Sequence, residues 1–102
     1  MGTVTYENVT LLENGIYEAV PIINGVVYNK KTFFPSFWTE ETVVEKILDV
    51  FKKCYENKNY KIDWTGSYIM TDLTSCGVEI KLIYDPKERL IATAYPIVKK
   101  GL

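Results

Sequence analysis

Between Thr39 and Asn57 the chain carries one amphipathic helical pattern, and no second pattern of its kind appears anywhere else. Val43, Val44, Ile47, Leu48, Phe51, Cys54 and Tyr55 recur at three- and four-residue spacing, while Lys46, Asp49, Lys52, Lys53 and Glu56 fill the opposite face. Thr39 is a good N-cap, and Glu40 and Glu41 stand where the helix dipole favours negative charge. The pattern ends near Asn57, in Asn-Lys-Asn. A lone helix of this type has to rest its apolar face on a sheet or another helix, so the flanking segments decide the fold class.

Those segments read as strands. In "IYEAVPIINGVVYNKKTFF", Asn24-Gly25 separates two apolar, β-branched runs, and both turn residues tolerate positive φ. Ile16–Ile23 and Val26–Thr32 are therefore expected to pair as an antiparallel hairpin. Pro21 marks the first arm as an edge strand or a bulged one. "VTLLEN", closed by Asn14-Gly15, is a weaker strand candidate. After the helix come "SYIMTDL", the alternating "GVEIKLIY", a turn at Asp85–Glu88 and the strand "LIATAYPIV". Strict alternation in that last strand puts Leu90, Ala92 and Ala94 on one face, and Ile91, Thr93 and Tyr95 on the other. The expected fold is α+β: a β-hairpin, one amphipathic helix, then a three-stranded meander, mostly antiparallel, with the helix packed on one face.

Composition narrows the function classes. A chain of 102 residues with 47% hydrophobic content is one domain, here residues 1–102, or part of one, with enough for a real core. A net charge of −1 gives no basic surplus of the kind nucleic-acid binders usually carry, although a local patch can hide inside it. The two cysteines, Cys54 and Cys76, form no CxxC pair and there is no histidine to join them, which excludes a zinc site of ordinary spacing. Both are expected to be small buried thiols, with a disulfide between them left open. No apolar run is long enough to span a bilayer, and the first ten residues are neither a signal peptide nor a basic arm. No membrane contact, metal or cofactor is expected.

Three blocks carry a family resemblance: "KTFFPSFWTEETVVEKI", the stretch ending "SCGVEI", and "LIATAYPIV". In this order they resemble the C-terminal half of the bacterial EndoU nuclease domain, within the wider barnase/EndoU/colicin/RelE-like grouping. "GIYEAVPI" resembles the strand that precedes them there. The likeness covers residues 15–98, leaving residues 1–14 as an N-terminal extension or an extra strand. It makes the aromatic block a structural entry: Phe33 and Phe34 run the strand into the core, Pro35 stops pairing, and Trp38 packs back on the first helical turn.

The resemblance implies an RNA endonuclease. In such chemistry the substrate's 2′-hydroxyl attacks the neighbouring phosphate and leaves a 2′,3′-cyclic end. A base takes the 2′ proton, an acid protonates the leaving oxygen, and a cation stabilises the charge building on phosphorus. The family uses two histidines and a lysine, with a Thr and a Tyr on the last strand holding the substrate. Thr93 and Tyr95 match that Thr-x-Tyr motif. Lys30 and Lys31 are the lysine candidates, and in a strand they point to opposite faces, so at most one lines the cleft. Arg89, the only arginine, is a further substrate-binding candidate beside Lys87.

The histidines have no counterpart here. Three readings stay open: a C-terminal piece whose histidines lie on a preceding half, a histidine-free module that binds RNA or protein without cutting, or a nuclease built on another arrangement. Implied partners are tRNA or another uridine-containing RNA, an immunity protein, and a second copy or the missing half. The implied setting is the tail of a secreted or contact-delivered toxin that acts in a target cell's cytoplasm; otherwise the chain is cytoplasmic.

Overall fold

The computed structural model describes residues 2–98. Its elements, in chain order, are β1 (Val4–Leu11), a 3₁₀ turn (Glu13–Gly15), β2 (Tyr17–Ile23), β3 (Val26–Val27), β4 (Lys31–Phe33), α1 (Glu40–Glu56), β5 (Lys61–Ile62), β6 (Tyr68–Leu73), β7 (Glu79–Asp85) and β8 (Leu90–Ile97). The strands form two four-stranded antiparallel sheets. In the first, β2 pairs with β1 on one side and with β3 and β4 on the other; the second runs β5-β6-β7-β8. The α+β class, the antiparallel pairing and the single packed helix agree with the sequence reading.

Thr39 caps α1 as expected, its Oγ1 accepting from the Thr42 N–H at 3.1 Å. The far end closes in a Schellman arrangement. Asn59 N donates to Cys54 O at 2.8 Å and Lys58 N to Tyr55 O at 3.3 Å, with Lys58 in the left-handed region at φ 52°. The helix packs on β6 and β7. Val50 and Cys54 are fully buried there with Met70, Val78, Ile80, Leu82 and Ile16, and Ile47 and Phe51 pack at the margin. The buried stripe is thus rotated from the one the spacing suggests. Val44, Leu48 and Tyr55 are about half exposed, while Val50, outside the periodic set, has no accessible surface. Lys46 and Lys53 lean over the end of the sheet: Lys46 Nζ donates to Ser75 Oγ, and Lys53 Nζ donates to Leu73 O and pairs with Asp72.

The hairpin turns where Asn24-Gly25 predicts, with φ of 53° and 80°. Ile23 faces Val26 and Ile22 faces Val27, but farther on Ala19 faces Lys31 and Glu18 faces Thr32. Two residues of β2, Val20 and Pro21, are therefore opposed by three, Tyr28 to Lys30, which is a bulge. It accommodates Pro21. Backbone N and O of one residue face the same side of a strand. Tyr28 N donates to Pro21 O, so the missing N–H falls where the ladder is already interrupted. β2 is a central strand, not an edge, and of the two options for Pro21 the bulge is the one realised. Residues 4–11 form a full strand paired to β2, with a second bulge at Asn8-Val9, where Asn8 has φ 52°.

A third bulge lies on β8. Thr93 faces Ile83, but Ile91 faces Tyr84, so Ala92 is the extra residue. The alternation predicted for this strand resets there. Ile91 and Ala94 both pack against the core and Pro96 is buried, whereas Ala92 is exposed. Ile91 accordingly does not share a face with Thr93 and Tyr95. The cysteine expectation also divides. Both thiols are free, Cys54 is buried under α1, and Cys76 is exposed in the β6–β7 turn. Burial, and secondarily the Asp72 carboxylate, push the Cys54 thiol pKa up.

Candidate nucleic-acid cleft

The two sheets meet where β4 comes beside β8, and one hydrogen bond fastens the seam: Thr32 Oγ1 donates to Pro96 O at 2.8 Å. Pro96 suits this place for the same reason Pro21 suits its own. Its carbonyl faces β4, so its missing N–H lies on the edge of the second sheet, where no ladder bond is needed. A cleft of about 560 Å³ opens along the seam, lined by Lys30–Phe34 on one wall and Thr93–Pro96 on the other. That volume is within the usual range for ligand sites.

Lys30, Lys31, Thr93 and Tyr95 therefore line one cavity, although more than sixty positions separate the two pairs. Both lysines take part, where regular alternation admitted one. Lys30 ends the Tyr28–Lys30 bulge and Lys31 follows it, so the alternation on which that count relied is broken there. They differ electrostatically. Lys30 Nζ lies 3.6 Å from Glu18 Oε1, whereas Lys31 enters no ion pair among the described residues. The lining includes no Asp or Glu, so the uncompensated charge in the cleft is that of Lys31, beside a Lys30 offset by Glu18 at the margin. Arg89 does not line the cleft. It occupies the β7–β8 turn at φ 56°, four residues before Thr93 and so about 13 Å away along the strand.

The aromatic block is divided between core and cleft. Phe34 stacks on Trp38 with ring centroids 5.7 Å apart, and both pack against the core. Phe33 stacks instead on Tyr17 at 5.1 Å and, with Phe34, forms part of the cleft wall, so the expected core role holds for Phe34 and not for Phe33. Phe37 is largely exposed and lies over Gly15, where an added Cβ would come within 2.5 Å of its ring.

A family model described as bacterial EndoU nuclease matches residues 5–98. The chain belongs to the bacterial EndoU nuclease family. Comparison with the curated proteins gave no match, and comparison with the solved structures gave none. The match starts within β1 of this EndoU domain, ahead of the residue-15 limit suggested by the motifs. The two most specific motifs of the EndoU resemblance, Thr32-Phe33-Phe34-Pro35 and Thr93-Ala94-Tyr95-Pro96, supply the two walls of the cleft. Sequence reasoning missed Thr32 as the fastener of those walls, Phe33 as a cleft surface, and Glu18 as the partner of Lys30. The sequence held no signal for these three: an unbulged Asn24-Gly25 hairpin sets Glu18 opposite Lys31, and only the bulge brings Thr32 there.

Proposed function

We propose that this EndoU domain binds single-stranded RNA in the β4/β8 cleft and acts there as an endoribonuclease that leaves 2′,3′-cyclic phosphate ends. The observation that carries the reading is the meeting of Lys31, Lys30, Thr93 and Tyr95 in one cleft whose lining has no carboxylate. Lys31, free of any ion pair among the described residues, offsets the charge of the scissile phosphate and the further charge that builds on its oxygens. The Thr93 hydroxyl donates to a phosphate oxygen. The Tyr95 ring supplies a stacking face for a splayed base, which is how single-stranded RNA is commonly held. Phe33 and Phe34 extend that apolar wall. In the same reading the domain is a toxin module whose RNA target is a tRNA or another uridine-containing strand, held in check by an immunity protein.

The composition favours a second reading beside it: with no histidine in the chain, no side chain has an unperturbed pKa suited to taking the 2′ proton near neutral pH. The domain then binds RNA without cutting it, or works with groups from another polypeptide segment.

One experiment separates the two. The purified chain is titrated into a fluorescent uridine-rich oligonucleotide at several salt concentrations, and the same mixtures are assayed for cyclic-phosphate ends. Binding that weakens with salt and is reduced more by Lys31→Ala than by Lys30→Ala supports the cleft. Cleavage products lost in Tyr95→Ala or Lys31→Ala support the nuclease. Binding without products supports the second reading, and absence of binding rejects both.

A further inference from the structure

Residues opposite each other in an antiparallel pair point to the same side of the sheet, and this places the cleft residues of β8 at the rim of a larger surface. Tyr95 stands opposite Lys81, and Lys81 opposite Thr71. Thr93 stands opposite Ile83, Ile83 opposite Ile69, and Ile69 opposite Lys61. These two rows lie on the side of the second sheet away from α1. The alternate positions of the same strands, Met70, Ile80 and Leu82, are fully buried in the core beneath the helix. No residue of the two rows is buried. The open face therefore begins at Thr93 and Tyr95 in the cleft and runs across β7 and β6 to β5.

Its charge is arranged to suit a polyanion that follows this direction. Lys81 is the immediate neighbour of Tyr95, with Cβ atoms about 5 Å apart as in any such pair. Lys61 is exposed and stands three strand spacings, about 14 Å, from β8. Neither lysine enters an ion pair among the described residues. The two rows hold no carboxylate; acidic groups flank them. Glu79 lies one row farther on, opposite Leu73 and Ile97. At the other end Asp63 and Asp85 are held in the β5–β6 and β7–β8 turns, where they accept from Thr65 N and Ser67 N, and from Lys87 N and Glu88 N. A polyanion is thus attracted across the strands and repelled along them. A second copy of the chain laid face to face on this surface would set lysines against lysines.

We infer that an RNA strand held in the cleft leaves it over Tyr95 and crosses the open face of the second sheet, with Lys81 as its first phosphate contact beyond the cleft and Lys61 as its last. The inference rests on the RNA reading of the cleft and adds the path of the strand outside it. Ile83 and Ile69, between the lysines, give the bases an apolar surface, and the Thr71 hydroxyl donates to the sugar–phosphate backbone. Affinity accordingly rises with strand length until the strand reaches β5, and then levels off.

The test is an NMR titration of the isotope-labelled full chain with two uridine strands, a dinucleotide and one of about ten residues. Both carry 2′-O-methyl groups, which remove the hydroxyl nucleophile and keep them intact. The dinucleotide is expected to shift amides of β4 and β8 alone. The longer strand should bind more tightly and also shift amides of β7 and β6. Lys81→Ala should weaken the longer strand at least about threefold at low salt and lower its salt slope by about 0.7, the share of one phosphate on a single strand. Dinucleotide affinity should not change, and it reports that the variant is still folded. Lys61→Ala should act in the same direction, and Lys81→Arg should bind both strands as the parent does. Absence of shifts in the cleft with either strand rejects the RNA reading and this path with it. Cleft shifts with the dinucleotide, but a longer strand that binds no more tightly, leaves β7 unshifted or is unaffected by Lys81→Ala and Lys61→Ala, overturn the path alone.

Discussion

Lys58 illustrates how a residue can be right for composition and wrong for conformation. It is the left-handed residue of the Schellman closure of α1, at φ 52°, a position where glycine avoids the clash of Cβ with the backbone. Lysine is well solvated there but strained. Lys58→Gly is therefore expected to stabilise the protein by about 1 kcal/mol, since relief of the left-handed penalty outweighs the added freedom of the unfolded chain. Chemical denaturation checks this: the midpoint should rise with an unchanged slope. The same accounting at Asn24 and Gly25 shows no such conflict, and this turn is the feature of the chain most directly readable from two adjacent letters.

At the scale of elements, strands and helix were legible because their apolar spacing is set by local geometry. Faces were legible only up to the first bulge. β8 is the clearest case: one extra residue at Ala92 moves Ile91 to the core side and leaves Thr93 and Tyr95 facing the cleft without it. The bulge opposite Pro21 likewise ends the alternation that separated Lys30 from Lys31. β4 and β8 are held by the Thr32–Pro96 bond next to Lys31 and Tyr95. Thr32→Val keeps the shape, removes the hydroxyl and leaves a part-buried carbonyl without its donor. A loss of about 1–3 kcal/mol is expected. The same variant should weaken RNA binding while leaving both lysines in place, which fluorescence anisotropy would read. Unaltered stability and affinity would mean that the two walls are held by packing alone.

At the scale of the molecule, the two sheets are unequal. Six of the seven residues of the core cluster belong to α1, β6, β7 and the β6–β7 turn, with Ile16 the seventh, while β1 is exposed along its whole length. Local stability follows buried contact. Amide hydrogen exchange is expected to be slowest in β6, β7 and α1 and markedly faster in β1 and β3; equal protection in both sheets would refute this. What the sequence by itself determined is the helix, the long strands β2, β6, β7 and β8, the hairpin turn, the helix cap and the family motifs. Each depends on neighbours within a few residues, through φ preference, spacing or a single hydrogen bond. Only the tertiary structure decided that the strands divide into two sheets, that β2 is central, and that both lysines stand beside Thr93 and Tyr95. Those outcomes depend on register. A one-residue bulge resets register, and whether a bulge forms is decided by pairing between strands distant in the chain.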